Sequence, residues 1–215
     1  MEKRKIIQQL IKEKLSEMFD PVMKEKNFNR KSNSLVYLKK TNVLTHKIYF
    51  HFQCSPHFLP EVDAYLNPTY RLYIPDVSHK ALELLGDNKM ALGLDPEIVL
   101  SQPYYFFIED HDTIPYLSLT LNKDNTQDLN QLKEIITRWV LPQVNKINNL
   151  QDFVKIYEDN FPFSISKKDY IFFIAAYIIL GQKERARNLL EKEFSKQGAK
   201  SLYKPLYENF LKSYP

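Results

Sequence analysis

Residues 45–55 read THKIYFHFQCS, and apolar and polar side chains alternate along most of this stretch. Successive side chains of a β-strand point to opposite faces, so the alternation predicts a strand that packs one face into a core. The predicted core face carries Ile48, Phe50, Phe52 and Cys54. The predicted outer face carries Lys47, Tyr49, His51, Gln53 and Ser55. A strand that is apolar on one face only is typical of an antiparallel sheet.

The neighbouring residues supply further strands. Residues 34–40 (SLVYLKK) form a second predicted strand, and a short polar turn at Thr41 and Asn42 joins it to the first as a hairpin. Residues 64–74 (AYLNPTYRLYI) are rich in aromatic side chains but contain Pro68. Because proline cannot donate a ladder hydrogen bond, we expect this segment to form an edge strand or two short strands around a bulge.

Helical periodicity is present at both ends of the chain. Apolar side chains at three- and four-residue steps predict a helix over residues 3–26 that Pro21 kinks or splits. A helix over residues 77–92 is inserted in the middle and ends or breaks at Gly86. Beyond residue 122 the pattern is almost entirely helical, and helices are predicted over 126–141, 150–160, 167–180, 183–196 and 202–214.

Residues 104–108 and 116–121 predict two more strands, separated by a polar turn. The fold class is therefore α+β: an N-terminal helix and an antiparallel sheet of four to five strands, followed by a C-terminal all-helical bundle. We expect residues 1–125 to form the sheet domain and residues 126–215 to form a helical subdomain packed on it.

A basic turn and the aromatic strand together resemble a known bacterial family. The turn reads Asn27-Phe28-Asn29-Arg30-Lys31-Ser32, and the strand ends in Phe50-His51-Phe52-Gln53-Cys54-Ser55. Over about residues 5–122, this order resembles the bacterial domain-of-unknown-function 4304 family. Two glycines of the family pattern are replaced here, by Asn27 and by Ser32 or Asn33, and asparagine tolerates a positive φ.

The resemblance implies an α+β fold with an antiparallel sheet. It implies no activity, because the family has none assigned. Some relatives look like members of toxin–immunity neighbourhoods. The predicted helices after residue 125 lie outside the part of the chain that the resemblance covers.

Composition excludes several function classes. Cys54 is the only cysteine, so neither an internal disulfide nor a cysteine-based zinc site is expected. The four glycines do not fall in the spacing of a phosphate-binding loop. The longest apolar run, residues 170–180, is about half of what a bilayer span needs, and charges interrupt the N-terminal apolar residues. These features predict a cytoplasmic protein without a membrane segment.

The net charge of +4 is unevenly distributed. Residues 1–40 contain 11 Lys or Arg and 5 Asp or Glu, whereas residues 41–130 contain 5 and 12. This change of sign argues against one continuous phosphate-binding surface, so nucleic acid is the less favoured partner. A nucleic-acid surface would need basic and aromatic side chains interleaved, and the candidates are Arg30, Lys31, Tyr37, Lys39 and Tyr49.

The outer face of the predicted sheet is the main candidate site. If the strands pair in order, one face presents aromatic side chains with Arg, His and Gln, namely Tyr37, Tyr49, His51, Gln53, Arg71 and Tyr73. Such a surface suits a planar ligand or a partner protein. In the alternative, the C-terminal helices cover this face, or it is a solvated sheet face. The basic turn, with Arg30 and Lys31, is a second candidate.

Metal binding and catalysis have no comparable support. His46 and His51 point to opposite faces of a strand, so they cannot share an ion. The polar segment 109–112 (EDHD) is more typical of a solvated turn than of a cation site. Cys54 lies on the predicted core face, where a buried thiol is inert. We therefore predict no catalytic residue, no metal site and no cofactor.

The sequence as a whole favours a non-enzymatic, cytoplasmic protein-binding module of bacterial type, with an immunity-like role as one form of it. The alternatives are a nucleic-acid-associated protein that uses the basic N-terminal turn, and a small-molecule-binding cleft between sheet and helices.

Overall fold

A computed structural model describes residues 2–86, 88–108, 115, 117–159 and 163–214. It confirms the α+β fold class, with an N-terminal helix, a five-stranded antiparallel sheet and a helical C-terminal region. The acidic segment 109–112 lies outside the described residues.

The N-terminal helix is split, as Pro21 predicts, but the irregularity begins six residues earlier. Helix α1 (Glu2–Lys14) runs into a π-helical turn (Leu15–Phe19), and helix α2 (Asp20–Glu25) follows. The amide of Asp20 donates to the carbonyl of Leu15, five residues back, which is the wider π pattern. The wider turn makes room for a proline that would otherwise clash with the preceding turn.

The basic turn leaves α2 through a left-handed residue. Asn27 has φ of 62°, as the asparagine in place of a glycine predicts. Directly after it, the amide of Phe28 donates to the carbonyl of Met23 at 2.9 Å, and the Phe28 ring is fully buried. The chain therefore folds back onto the core within two residues of the helix end.

Five strands form the sheet. They are β1 (Val36–Lys40), β2 (Thr45–Cys54), β3 (Ala64–Tyr73), β4 (Ile98–Pro103) and β5 (Ser118–Leu119). The order across the sheet is β1-β2-β3-β4, and β5 also pairs with β3. The predicted hairpin is confirmed: β1 and β2 are antiparallel, with Val36 opposite Tyr49 and Leu38 opposite Lys47.

Strand β3 corrects the prediction made from Pro68. It is one continuous strand in the interior of the sheet, neither an edge strand nor two short strands. Strand β5 pairs with Ala64 and Tyr65, near the beginning of β3. Pro68 lies beyond that pairing, so its missing amide proton removes no hydrogen bond from it.

The strand predicted over 104–108 is wrong. Strand β4 ends at Pro103, and a 3₁₀ turn (Tyr104–Phe107) follows it. Tyr104 and Phe107 are both buried, because a repeat of three residues per turn brings their side chains to one side. The next strand, β5, is shorter than the predicted 116–121, of which residue 116 lies outside the described residues.

The remaining helices follow the predicted order. Gly86, with φ of 54°, ends α3 (Pro75–Leu85), and a 3₁₀ turn (Lys89–Leu92) follows. Helix α4 (Thr126–Ile135) continues through a π-helical turn (Ile136–Val140) into α5 (Leu141–Val144), so Pro142 does not end it. The others are α6 (Leu150–Glu158), α7 (Lys167–Ile179), α8 (Lys183–Phe194), α9 (Gln197–Leu202) and α10 (Lys204–Ser213).

The chain forms two compact units. The first consists of residues 1–40, 45–71 and 101–146, and the second of residues 41–44, 72–100 and 147–215. The first unit thus continues past the boundary predicted at residue 125 and includes α4 and α5. Within the second unit, α7 packs against α3, α6 and α8. No helix in the described part of the chain is long and apolar enough to cross a membrane.

Replacing Asn27 tests the left-handed turn. A β-branched side chain is strained at positive φ, so we expect Asn27→Val to lower the free energy of unfolding by about 1–2 kcal/mol. Glycine is free of this strain, and we expect Asn27→Gly to stay within about 0.5 kcal/mol of wild type. Urea unfolding of both variants is the measurement. Equal stability of the two variants would contradict the left-handed assignment.

Candidate functional site

Strand β2 separates its two faces as the alternation predicts. Ile48 and Phe50 are buried, whereas His51 and Gln53 are exposed and Tyr49 is half-buried. The end of the strand differs from the prediction. Cys54 is only half-buried, so it is not the enclosed core thiol expected from the pattern. The reason is its position at the last residue of β2, where the strand leaves the core.

Tyr49, His51 and Arg71 form one cluster on the outer face. The rings of Tyr49 and His51 are parallel within 3°, with centroids 5.3 Å apart. The guanidinium carbon of Arg71, from neighbouring strand β3, lies 4.7 Å from the Tyr49 ring centroid. Partial burial, together with the positive charge of Arg71, lowers the pKa of His51 below its usual 6.5. The imidazole is therefore neutral at pH 7, and Arg71 supplies the charge of this cluster.

Arg71 lacks an acidic partner in the part of the chain that the structure describes. None of the ion pairs formed by the described residues includes it. Its Nε atom is buried and has no hydrogen-bond acceptor among these residues. A guanidinium held against a ring, with unused donors, is suited to receive an anionic or carbonyl oxygen.

Tyr37 does not belong to this cluster, which corrects the predicted face. Tyr37 lies opposite Ile48 in the hairpin register and shares the core face with it. Its hydroxyl donates to the Asp20 carboxylate at 2.6 Å and also lies 3.2 Å from the carbonyl oxygen of Leu15. The hairpin register decides the face, and it places Val36, not Tyr37, beside Tyr49.

Tyr73 is the last residue of β3 and belongs to the second compact unit. There it lines a cavity of about 240 Å³ with Ser78 and His79. Its membership of the candidate face stays a prediction.

Arg30 of the basic turn is a structural residue. Its side chain has no exposed surface, and it makes a two-point contact with Asp20, with Nε and Nη2 at 3.0 and 2.9 Å from the carboxylate oxygens. The remaining donors reach the carbonyls of Ser32 and Ser34 and the hydroxyl of Ser16. All five guanidinium hydrogens therefore have an acceptor, and none is left for a ligand.

Hydrogen bonds stabilise the ionised form of Asp20. Burial alone would raise the pKa of this carboxyl, but the hydrogen bonds from Arg30 and Tyr37 outweigh it and hold the pKa below its usual 3.8. Asp20 thus remains charged and keeps Arg30 in the turn.

The other basic candidates are separated from one another. Lys31 is exposed. Lys39 donates to the side-chain oxygen of Asn145 at 2.8 Å and lies over the Phe28 ring. His46 is fully buried on the opposite face from His51, with Nδ1 2.8 Å from the Tyr70 hydroxyl oxygen.

A groove adjoins the cluster on the outer side of the hairpin. Its volume is about 510 Å³, and its lining is Asn29, Arg30, Lys31, Ser34, Val36, Leu38, Lys47 and Tyr49. A smaller cavity of about 170 Å³ shares Val36 and Tyr49 with it and adds Arg4. The sequence prediction missed Val36 and Leu38, because their placement depends on the hairpin register. The only signal was the length of the turn at residues 41–44.

Comparison of this sequence with models of protein families and with curated proteins, and of this fold with solved structures, found no match. The resemblance to the domain-of-unknown-function 4304 family therefore stays a prediction.

Removing Arg30 tests its structural role. Arg30→Ala leaves the Asp20 carboxylate and three oxygen acceptors without their donor, so we expect a loss of about 3 kcal/mol of unfolding free energy. Lys31→Ala is the matched control, because this exposed neighbour should change stability by less than about 0.5 kcal/mol. Urea denaturation measures both. Similar small losses in the two variants would show that the turn does not depend on Arg30.

The pH dependence of stability should carry the signature of Asp20. A carboxyl whose pKa is lowered by folding contributes stability above its unfolded pKa, and this contribution is lost as pH falls through the folded value. We therefore expect wild type to lose more stability than Asp20→Asn between pH 5 and pH 3, although Asp20→Asn is the less stable protein at pH 7. The measurement is the urea midpoint at each pH. Parallel curves for the two proteins would contradict this coupling.

Proposed function

We propose that this chain is a non-enzymatic protein-binding module, and that its contact surface is the outer face of β2 and β3. We call this surface the arginine–aromatic face and define it by Tyr49, His51, Gln53 and Arg71. The observation that carries the proposal is Arg71, a cation held over the Tyr49 ring without an acidic partner among the described residues.

The residue types favour a protein partner. Tyrosine and arginine are enriched among the few residues that dominate the energy of protein interfaces. Tyr49 contacts both the His51 ring and the Arg71 guanidinium, which limit its rotamer freedom before any partner binds. A side chain ordered in advance loses less conformational entropy on binding, so more of its contact energy contributes to affinity.

The basic turn supports the nucleic-acid alternative less well. Arg30 is hydrogen-bonded to Asp20 and to backbone carbonyls, Lys39 is hydrogen-bonded to Asn145, and Tyr37 is in the core. Five side chains were expected to form a nucleic-acid surface, and these three have other roles in the protein. The remaining two, Lys31 and Tyr49, line the same groove. Two such residues are few for the row of phosphate contacts that sequence-independent binding needs.

Two narrower parts of the proposal rest on the sequence alone. An immunity-like role follows from the resemblance to the bacterial family. A cytoplasmic location is proposed from the composition of the sequence. Neither is needed for the contact surface, which is argued from side-chain positions.

A triple variant of the face tests the proposal. We expect a partner captured from lysate by wild type, then purified, to bind Tyr49→Ala/His51→Ala/Gln53→Ala at least about 30-fold more weakly, since loss of a central interface residue costs about 2 kcal/mol or more. The measurement is the dissociation constant by calorimetry, after circular dichroism has shown that the variant is folded.

The matched control carries changes at exposed residues outside the face, His79→Ala and Gln197→Ala. We expect it to bind the partner like wild type. Equal affinity of the triple variant and wild type would overturn the proposed surface, and equal losses in the triple variant and the control would show that the effect is not specific to the face.

A further inference from the structure

The groove beside the arginine–aromatic face has an apolar floor. Val36 and Leu38 of β1 lie opposite Tyr49 and Lys47 of β2, so these four side chains share the outer side of the hairpin. Leu38 is 39% exposed although it lies within a strand. A volume of about 510 Å³ is in the range of sites that enclose several side chains or a small ligand.

The backbone at the middle of this edge is already paired. The amide of Leu38 donates to the carbonyl of Asn29, and the amide of Asn29 donates to the carbonyl of Leu38, both at 2.8 Å. An incoming segment therefore cannot add a strand at Leu38 by main-chain hydrogen bonds. Side chains of the groove must recognise it, and their chemistry defines the occupant.

The charges of the groove have one sign. Among the described residues, its lining includes Arg30, Lys31 and Lys47 and no acidic residue. The adjoining cavity adds Arg4, and the described residues that line it include no acid. Asp20 offsets the charge of Arg30, the lining also contains the cations Lys31 and Lys47, and Arg71 lies beyond Tyr49. An apolar floor between cations is complementary to apolar residues flanked by carboxylates.

We propose that this groove binds an acidic segment of the partner protein, with its apolar side chains on Val36 and Leu38 and its carboxylates at Lys31 and Lys47. This inference rests on the proposed function and specifies its ligand. A protein segment fits better than a nucleic acid, because the floor is aliphatic and offers a single tyrosine ring for base stacking.

Labelled probes test the charge preference directly. The probes are a short fluorescein-labelled peptide alternating Glu and Leu, the same peptide with Gln in place of Glu, and a labelled oligothymidylate. Fluorescence anisotropy with purified full-length protein should show at least about tenfold tighter binding of the Glu peptide than of the Gln peptide. The preference should fall as salt is raised, because exposed charges are screened.

Charge reversal in the groove should remove the preference. We expect Lys31→Glu/Lys47→Glu to weaken binding of the Glu peptide at least about tenfold. The control Lys24→Glu/Lys26→Glu makes the same change of net charge at exposed lysines outside the groove lining and should bind like wild type. Equal binding of the Glu and Gln peptides, equal loss in the control, or no peptide binding at all would overturn the acidic-segment assignment. Tighter binding of the oligothymidylate would overturn it in favour of nucleic acid.

The two proposals fail separately. A captured partner that is lost by the Tyr49, His51 and Gln53 variant but retained by Lys31→Glu/Lys47→Glu would keep the arginine–aromatic face and exclude the acidic groove. A partner retained at full affinity by both variants would exclude the arginine–aromatic face as the contact surface, and the groove with it.

Discussion

The guanidinium of Arg30 connects the N-terminal helix with the residues that lead into β1. It donates to Ser16 in the π-helical turn and to Asp20 at the start of α2, and it also donates to the carbonyls of Ser32 and Ser34 just before β1. Its side chain has no exposed surface. The hydroxyl of Tyr37 in β1 donates to the same Asp20 carboxylate. Because these bonds fix the first strand against the N-terminal helix, they also fix the wall of the groove. The fold of the first unit around its candidate site thus depends on one ion pair whose arginine is shielded from water.

The two arginines of this region have opposite roles. Every donor of Arg30 is hydrogen-bonded to a group of the protein, and these bonds hold the turn in one conformation. Arg71 is held by the Tyr49 ring, and its buried Nε has no acceptor in the part of the chain described by the structure. A buried donor without an acceptor costs stability, and a protein retains such a cost most readily where a ligand removes it. Sequence alone does not separate the two roles.

How far the sequence predicts the fold depends on whether a feature is local. The faces of Ile48, Tyr49, Phe50 and His51 follow from a two-residue period within one strand, and the prediction is right. The face of Tyr37 depends on the pairing register, and there the prediction is wrong. The position of Pro68 within an interior strand is tolerated because of where β5 pairs with β3, which is also a matter of register. The partnership of Arg30 with Asp20 requires the π-helical turn, for which the sequence carries no signal beyond Pro21.

The short bridge between Asn29 and Leu38 has a consequence for the behaviour of the chain at high concentration. An outermost strand with unpaired amides and an exposed leucine is a template on which a second copy can align and begin an aggregate. Here the residue that bears the exposed leucine already has both main-chain groups bonded to Asn29. The edge can therefore keep the apolar side chain of Leu38 facing solvent while the backbone at Leu38 is closed to a strand from another copy.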